Sequence, residues 1–196
     1  MKVIGLTGGI GSGKTTIAGF FKKLGVPLYI ADDAGKRLMA TSQEVKSQII
    51  ALLGQDSYCD DIPDRRFIAD VVFKSPKKLE QLNQIIHPAV QEDFENWKNN
   101  QNSPYVLYEA AILFETGGYK KCDAVILVTA PLHTRIERLQ LRDGITLEQI
   151  EARMHHQWSD KQKRKLSQFE IFNANLLKSE QQVKIIHDFL LNPNKN

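Results

Sequence analysis

Eight residues near the start of the chain, Gly8-Gly9-Ile10-Gly11-Ser12-Gly13-Lys14-Thr15, hold four glycines followed by a lysine and a threonine. Glycine loses more conformational freedom on folding than any other residue, so such a cluster implies left-handed dihedrals or backbone passing close to something bulky. Val3 to Leu6, just before it, is a short apolar run with the character of a strand. Thr15 to Leu24, just after it, sets Ile17, Ala18, Phe20, Phe21 and Leu24 at helical spacing. The glycines therefore join a strand to a helix.

The stretch fits G-x-x-x-x-G-K-[ST], in which successive backbone N–H groups and a helix N-terminus cradle phosphates. Lys14 would reach the outer phosphates and the Thr15 hydroxyl would hold Mg²⁺. A chance match in a chain of this length is on the order of 1 %, given ordinary Gly, Lys and Ser/Thr usage. The strand and helix flanks lower it further, so a bound nucleoside triphosphate is the premise for reading the rest.

The 196 residues, 42 % of them hydrophobic, suit a single domain, 1–196, with a substantial core. A net charge of +3 from 26 basic and 23 acidic residues, well interspersed, favours anionic small molecules and does not call for nucleic acid. Cys59 and Cys122 form no C-x-x-C pattern, which points to neither a zinc site nor a disulfide framework and fits a reducing, cytoplasmic setting. The N-terminus lacks a basic region followed by a long apolar run, and no segment is apolar enough to span a bilayer, so a soluble protein is expected, as a monomer or weak homo-oligomer. The polar stretch Lys98 to Ser103 reads as a loop and the Asn-rich end LNPNKN as a loose tail.

Further strands are expected at Val26 to Ile30, within YVLYEAAILF from Tyr105, in DAVILVTA from Asp123, and at Glu170 to Asn173. Short, mostly apolar runs separated by helical stretches predict an α/β fold, a parallel sheet flanked by helices. Arg65 to Phe73, Pro76 to Ile86 and Pro88 to Trp97 have helical pattern and suggest a helical insertion over about 60–100, long for a simple crossover and suited to binding a second substrate.

Ligands of open α/β sheets bind beyond the carboxyl ends of the strands. Asp32 and Asp33 follow the second strand, where a carboxylate can take the proton of an alcohol attacking a γ-phosphoryl group; the same pair is equally suited to capping the following helix. Glu109 ends YVLYE and is placed to meet Mg²⁺ directly or through water. Arg135, Arg138 and Arg142 fall at i, i+3 and i+7 beyond the fourth strand, either as a lid that stabilises the migrating phosphoryl group and excludes water or as a solvated face paired with Glu137 and Asp143. Lys161, Lys163, Arg164 and Lys165 are a weaker candidate for attracting phosphates, charge runs being usually solvated. His87, before Pro88, reads as a helix boundary or packing residue, with a substrate contact as the alternative.

Taken together, LTGGIGSGKTT, the strand-end Asp, DRRFIADVVF, LNQIIHP, ILFE and the R-x-x-x-R-D stretch resemble the dephospho-CoA kinases, in this order and over nearly the whole chain. The resemblance implies a P-loop kinase that transfers the γ-phosphoryl group of ATP to the 3′-hydroxyl of the ribose of dephospho-CoA, the last step of coenzyme A synthesis, with Mg²⁺. It implies that Gly9, Gly11, Ser12, Gly13, Lys14, Thr15 and Thr16 hold the triphosphate and metal, with Thr15 and Glu109 toward Mg²⁺. Asp32 and Lys14 would be catalytic, with Arg138 and Arg142 in a lid over about 131–168. Asn173 would lie near the adenine, and Asp32, His87 and Glu109 would serve the acceptor. The chain departs from the family pattern in having Ile30-Ala31-Asp32 for Asp-Ala-Asp, Glu109 for an Asp before a Pro-Leu-Leu run, Arg135 for a Gln, and Ser167-Gln168 for Ala-Asp.

Three other readings share parts of this pattern. Another P-loop kinase acting on a nucleoside, nucleotide or small alcohol would have the same loop, acid and arginines. A nucleotide-dependent switch using guanine would want N-K-x-D, which is absent from the sequence. A binding protein that kept the loop and lost transfer is the third, motivated by Ile30 and Glu109.

Overall fold

The computed structural model describes residues 1–155 and 157–192; the end expected as a loose tail lies, from residue 193 on, outside the described residues. The chain runs β1 (Lys2–Gly8), α1 (Lys14–Lys23), β2 (Leu28–Ile30), α2 (Ala31–Thr41) and α3 (Gln43–Leu53). A small hairpin follows, β3 (Tyr58–Cys59) with β4 (Ile62–Pro63), and then α4 (Arg65–Phe73) and α5 (Pro76–Asn99). The remainder is β5 (Tyr105–Glu109), β6 (Ala124–Thr129), α6 (Leu132–Asp143), α7 (Leu147–His155), α8 (Asp160–Arg164), β7 (Phe169–Phe172) and α9 (Leu176–Leu191). It divides into two compact units, Met1–Ile30 with Gln101–Asn196, and Ala31–Asn100.

The first unit is a five-stranded sheet in the order β2-β5-β1-β6-β7, every pair parallel. The fold class expected from the apolar runs is the one observed. In β1 the side chains alternate between two covered faces, the pattern of a strand buried on both sides. Ile4 and Leu6 join Leu107, Ile126 and Val128 under Ile17 and Phe21 of α1 and Val183 of α9. Gly5 points to the opposite face, where a Cβ would come within 2.7 Å of Leu113 and 3.0 Å of the Cys122 sulfur. It is glycine there because the chain after β5 packs directly on the strand.

The second unit is helical and contains the expected 60–100 stretch together with α2 and α3. Met39, Val45, Ile49, Ile68, Val72 and Leu82 form its core. Pro88 does not end a helix, as its position after His87 led us to expect: α5 runs through it from Pro76 to Asn99. An interior proline costs about 3 kcal/mol or more through a lost hydrogen bond and a steric clash. Here the apolar positions Leu82, Ile86, Val90 and Phe94 continue at helical spacing across it, and Leu82, Val90 and Phe94 are buried. The hairpin turn uses Asp60 and Asp61 at φ 48° and 67°, the left-handed region that aspartate tolerates better than most residues.

Of the basic run, Lys161, Arg164 and Lys165 are exposed, but one member turns inward. Lys163 is wholly buried, its ammonium 3.0 Å from Glu115 Oε1, and Glu115 also accepts the Trp158 N–H at 2.8 Å. Arg164 pairs through two nitrogens with Glu170, each at 2.7 Å, and the Thr129 hydroxyl also donates to Glu170 at 2.7 Å. Removing one partner of a buried ion pair strands the other charge in a low dielectric, which costs about 3–5 kcal/mol. Lys163→Met is therefore expected to lose about that much in denaturant unfolding, and Lys163→Met with Glu115→Leu to regain most of it. Equal losses in the single and double variants would show that the buried charge is not what is costly.

Candidate active site

The parallel strands all run one way, so the residues after their carboxyl ends gather along one edge of the sheet. The glycine loop follows β1, Glu109 ends β5, α6 begins three residues after β6, and Asn173 follows β7. Around the loop is a cleft of about 660 Å³ lined by Gly11, Gly13, Lys14, Thr15, Thr16, Arg138, Leu139, Leu141, Arg142, Asn173 and Leu176. Eight residues assigned from the sequence are thus brought to one place: the five from the loop, the two arginines and Asn173.

The loop closes on itself through Ser12 N–H to the Gly9 carbonyl at 3.1 Å, and α1 starts with Ile17 N–H to the Gly13 carbonyl at 3.1 Å. Gly13 caps the helix at φ 90°, and no side chain caps it. With no side-chain cap at this end, the helix dipole favours an anion there. Gly13 also has no room for a side chain, since a Cβ would lie 2.2 Å from Asn173 Nδ2.

The loop carbonyls are held by side chains. Lys14 Nζ donates to the Gly8 carbonyl at 3.1 Å, Arg135 Nε to Ile10 at 2.8 Å, and Arg138 Nη1 to Ser12 at 3.3 Å. Asn173 Nδ2 also donates to Ser12, at 2.9 Å, while Arg138 Nη2 donates to the Asn173 carbonyl at 2.9 Å. The Asn173 amide is fixed in turn by the Ser179 hydroxyl, which donates to its Oδ1 at 2.9 Å.

Not every assigned residue lines the cleft. Gly9 lies against the Arg135 guanidinium, and Ser12 is fully buried, its hydroxyl without a hydrogen-bond partner among the described residues. Glu109 is only 6 % exposed and stands in register with Leu6 of β1. Asp32 and Asp33 occupy the first turn of α2, two and three residues past β2; Asp33 pairs with Lys36 at 2.8 Å. His87 is at the surface of α5, and partial desolvation lowers its imidazole pKa.

The three arginines part company. Arg135 and Arg138 turn to the loop, whereas Arg142 makes two hydrogen bonds to Asp143, at 2.7 and 2.9 Å, with its side chain 66 % exposed. Those hydrogen bonds and the Asp143 charge raise the Arg142 pKa, and the same bonds with the charges of Arg142 and Arg153 lower that of Asp143. Sequence reasoning missed Gln157 and Asp160. Gln157 Oε1 accepts the Ile10 N–H at 2.8 Å, and Asp160 Oδ2 lies 3.3 Å from Arg135 Nη1. Neither has a local signal, because each partner lies far away in the chain.

Among the described residues no group of three or more His, Cys, Asp or Glu is placed to hold a metal ion. Mg²⁺ bound with a nucleotide needs no such cage, because it keeps waters and takes phosphate oxygens. Thr15 lines the cleft and Glu109 ends β5, and a hydroxyl and a carboxylate are hard oxygen donors of the kind Mg²⁺ takes. No described helix is long and apolar enough to cross a membrane.

Asn173→Asp tests the loop's support. It replaces the donor that meets the Ser12 carbonyl with an acceptor, and a buried acceptor left unpaired costs about 1–3 kcal/mol. Thermal or urea unfolding is expected to show that loss, and unchanged stability would remove Asn173 from the loop's support.

The dephospho-CoA kinase family model matches residues 2–179. A dephospho-CoA kinase of Porphyromonas gingivalis is 42 % identical over 154 residues, 79 % of this chain and 76 % of that one. The enzyme of that name from Salinibacter ruber is 37 % identical over 181 residues, 90 % and 91 % of the two chains. A solved Thermus thermophilus protein superposes with a TM-score of 0.87 at 28 % identity, covering 100 % of this chain and 98 % of that one. The dephospho-CoA kinase from Campylobacter jejuni (TM-score 0.62, 19 % identity, 96 % and 97 % covered) and the shikimate kinase from Acinetobacter baumannii (0.53, 14 %, 100 % and 96 %) share the fold. With the family model matching 2–179 and the relatives aligning over most of their length, the chain belongs to the dephospho-CoA kinase family.

Proposed function

We propose that this protein transfers the γ-phosphoryl group of ATP to the 3′-hydroxyl of the ribose of dephospho-CoA, giving coenzyme A and ADP. The family match over 2–179 carries this reading, and the cleft around Lys14 supports its chemistry.

The loop amides and the Lys14 ammonium receive the triphosphate, neutralising charge that grows on the leaving ADP oxygen. Gly9 and Ser12 contribute backbone only, since their side-chain positions are turned into the protein. Thr15 and Glu109 would hold Mg²⁺, which supplies charge stabilisation to the phosphates. Arg138, already bonded to Ser12 and Asn173, sets the edge of the phosphate site, and Arg142 is the arginine that can turn from Asp143 to the migrating group. Residues of about 131–168 act as the lid, keeping water from competing with the acceptor. Asn173 and Leu176 bound the nucleoside end of the cleft.

Asp32 is the general base for the ribose hydroxyl. Asp32 keeps the register of the second acid in the family's Asp-Ala-Asp pattern, which favours it over its neighbour Asp33 for the chemical role. His87 and the helical unit Ala31–Asn100 serve the coenzyme A side of the acceptor. The free thiols Cys59 and Cys122 are in keeping with a cytoplasmic setting, and the reading requires no nucleic acid, membrane or second subunit.

The test mixes the protein with Mg-ATP and, separately, dephospho-CoA, adenosine, AMP, shikimate or no acceptor, and weighs the products by mass spectrometry. One phosphoryl group gained by dephospho-CoA alone is the expected result. Transfer to a different acceptor would make this another P-loop kinase, ADP without an acceptor would make it an ATPase or switch, and tight ATP binding without turnover a binding protein. Lys14→Ala is expected to abolish transfer with unchanged circular dichroism, since it removes phosphate neutralisation and no core packing.

Asp32→Asn is expected to lower kcat by about 10² to 10⁴-fold with nucleotide binding largely retained, and Asp33→Asn to have a much smaller effect. The reverse ranking would move the base to Asp33.

A further inference from the structure

Two of the loop's four glycines answer to α6. A Cβ on Gly9 would lie 2.2 Å from Arg135 Nη2, and a Cβ on Gly11 would lie 2.7 Å from the Arg135 carbonyl oxygen. The cluster therefore serves a side chain and backbone 124 to 126 positions away as well as any phosphate.

Arg135 fills the space those glycines leave. Its Nε donates to the Ile10 carbonyl at 2.8 Å, its Nη1 lies 3.3 Å from Asp160 Oδ2, and only 11 % of its side chain is exposed. The other side of Ile10 is held as well, because its N–H donates to Gln157 Oε1 at 2.8 Å and Gln157 Nε2 reaches the Ala111 carbonyl at 3.4 Å. Ile10 is thus gripped at both its N–H and its C=O, by residues from α6 and from the segment between α7 and α8. Arginine suits this place because its planar fork meets a carbonyl and a carboxylate together, which a lysine ammonium does less rigidly.

We propose that Arg135, locked by Asp160 and opposed by Gln157, is a positioning residue that holds the Ile10 backbone and so keeps the loop in its phosphate-binding shape before ATP arrives. This rests on the loop receiving ATP, as proposed above. A loop ordered in advance loses less freedom on binding. Loosening it weakens the ground state and the transition state alike, which raises KM for ATP and leaves kcat nearly unchanged.

The test measures kcat, KM for ATP, KM for dephospho-CoA and Tm for wild type, Arg135→Met, Arg135→Lys and Gln157→Leu. Arg135→Met is expected to raise KM for ATP about 10-fold or more, with kcat within about threefold and KM for dephospho-CoA within about twofold. Arg135→Lys should recover part of that change, and Gln157→Leu should reproduce its direction from the other side of Ile10, which keeps the test open if Arg135→Met does not fold. A KM for ATP within about twofold of wild type in Gln157→Leu and in each folded Arg135 variant, whatever happens to Tm and kcat, would overturn the positioning role. Saturation of the wild-type enzyme by ATP separates this proposal from the one beneath it: without saturation both fall, and with it only the positioning role is at stake.

Discussion

A backbone that offers its amides to phosphate has to dispose of its carbonyls, and here that constraint shapes everything around the loop. Gly8, Ile10 and Ser12 give their oxygens to Lys14, Arg135, Arg138 and Asn173. Three of those four donors are cationic, and hydrogen bonds to charged groups are stronger than neutral ones. The same cations raise the local positive potential, so holding the loop and attracting an anion are one electrostatic arrangement.

Much of this was legible in the sequence, and the reason lies in how local each signal is. The Gly8 to Thr15 pattern is contiguous, so loop, flanking strand and helix could be read together. The buried strands showed as apolar runs, because a parallel sheet covered on both faces leaves no polar alternation. Arg138 and Arg142 were visible as a row on one helical face. Arg135 was in the same row, yet its bond to Ile10 spans 125 positions and nothing nearby announces it. Gln157, in a short connection, and Asp160, at the start of α8, look like any polar residues there.

Two readings went astray for a shared physical reason. Lys163 sits in a run of charges that composition assigns to solvent, but the partner that draws it inside, Glu115, is 48 residues earlier. Pro88 is a strong local stop, but the apolar stripe of α5 on either side has a core to pack against, and burial outweighs the missing hydrogen bond. Local signals fail where a distant partner or a continuous buried face carries more free energy than the propensity it opposes.

Arg138 and Arg142 illustrate how similar residues on one helix come to different surroundings. Arg138 bonds to two main-chain carbonyls in a part-buried place, and moving it would take that donor from the Asn173 carbonyl and leave the Ser12 carbonyl with the Asn173 amide. Arg142, one turn further on, pairs with Asp143, whose carboxylate is shared with Arg153 at 3.6 Å. An exposed ion pair contributes little, so exchanging it for a phosphate oxygen costs little, and Asp143 keeps Arg153 when Arg142 leaves. A charge required only while phosphate is in flight is best kept where releasing it is cheap. In the proposed mechanism Arg142 would meet that condition, and Arg138, bonded to the Ser12 and Asn173 carbonyls, would meet the opposite one.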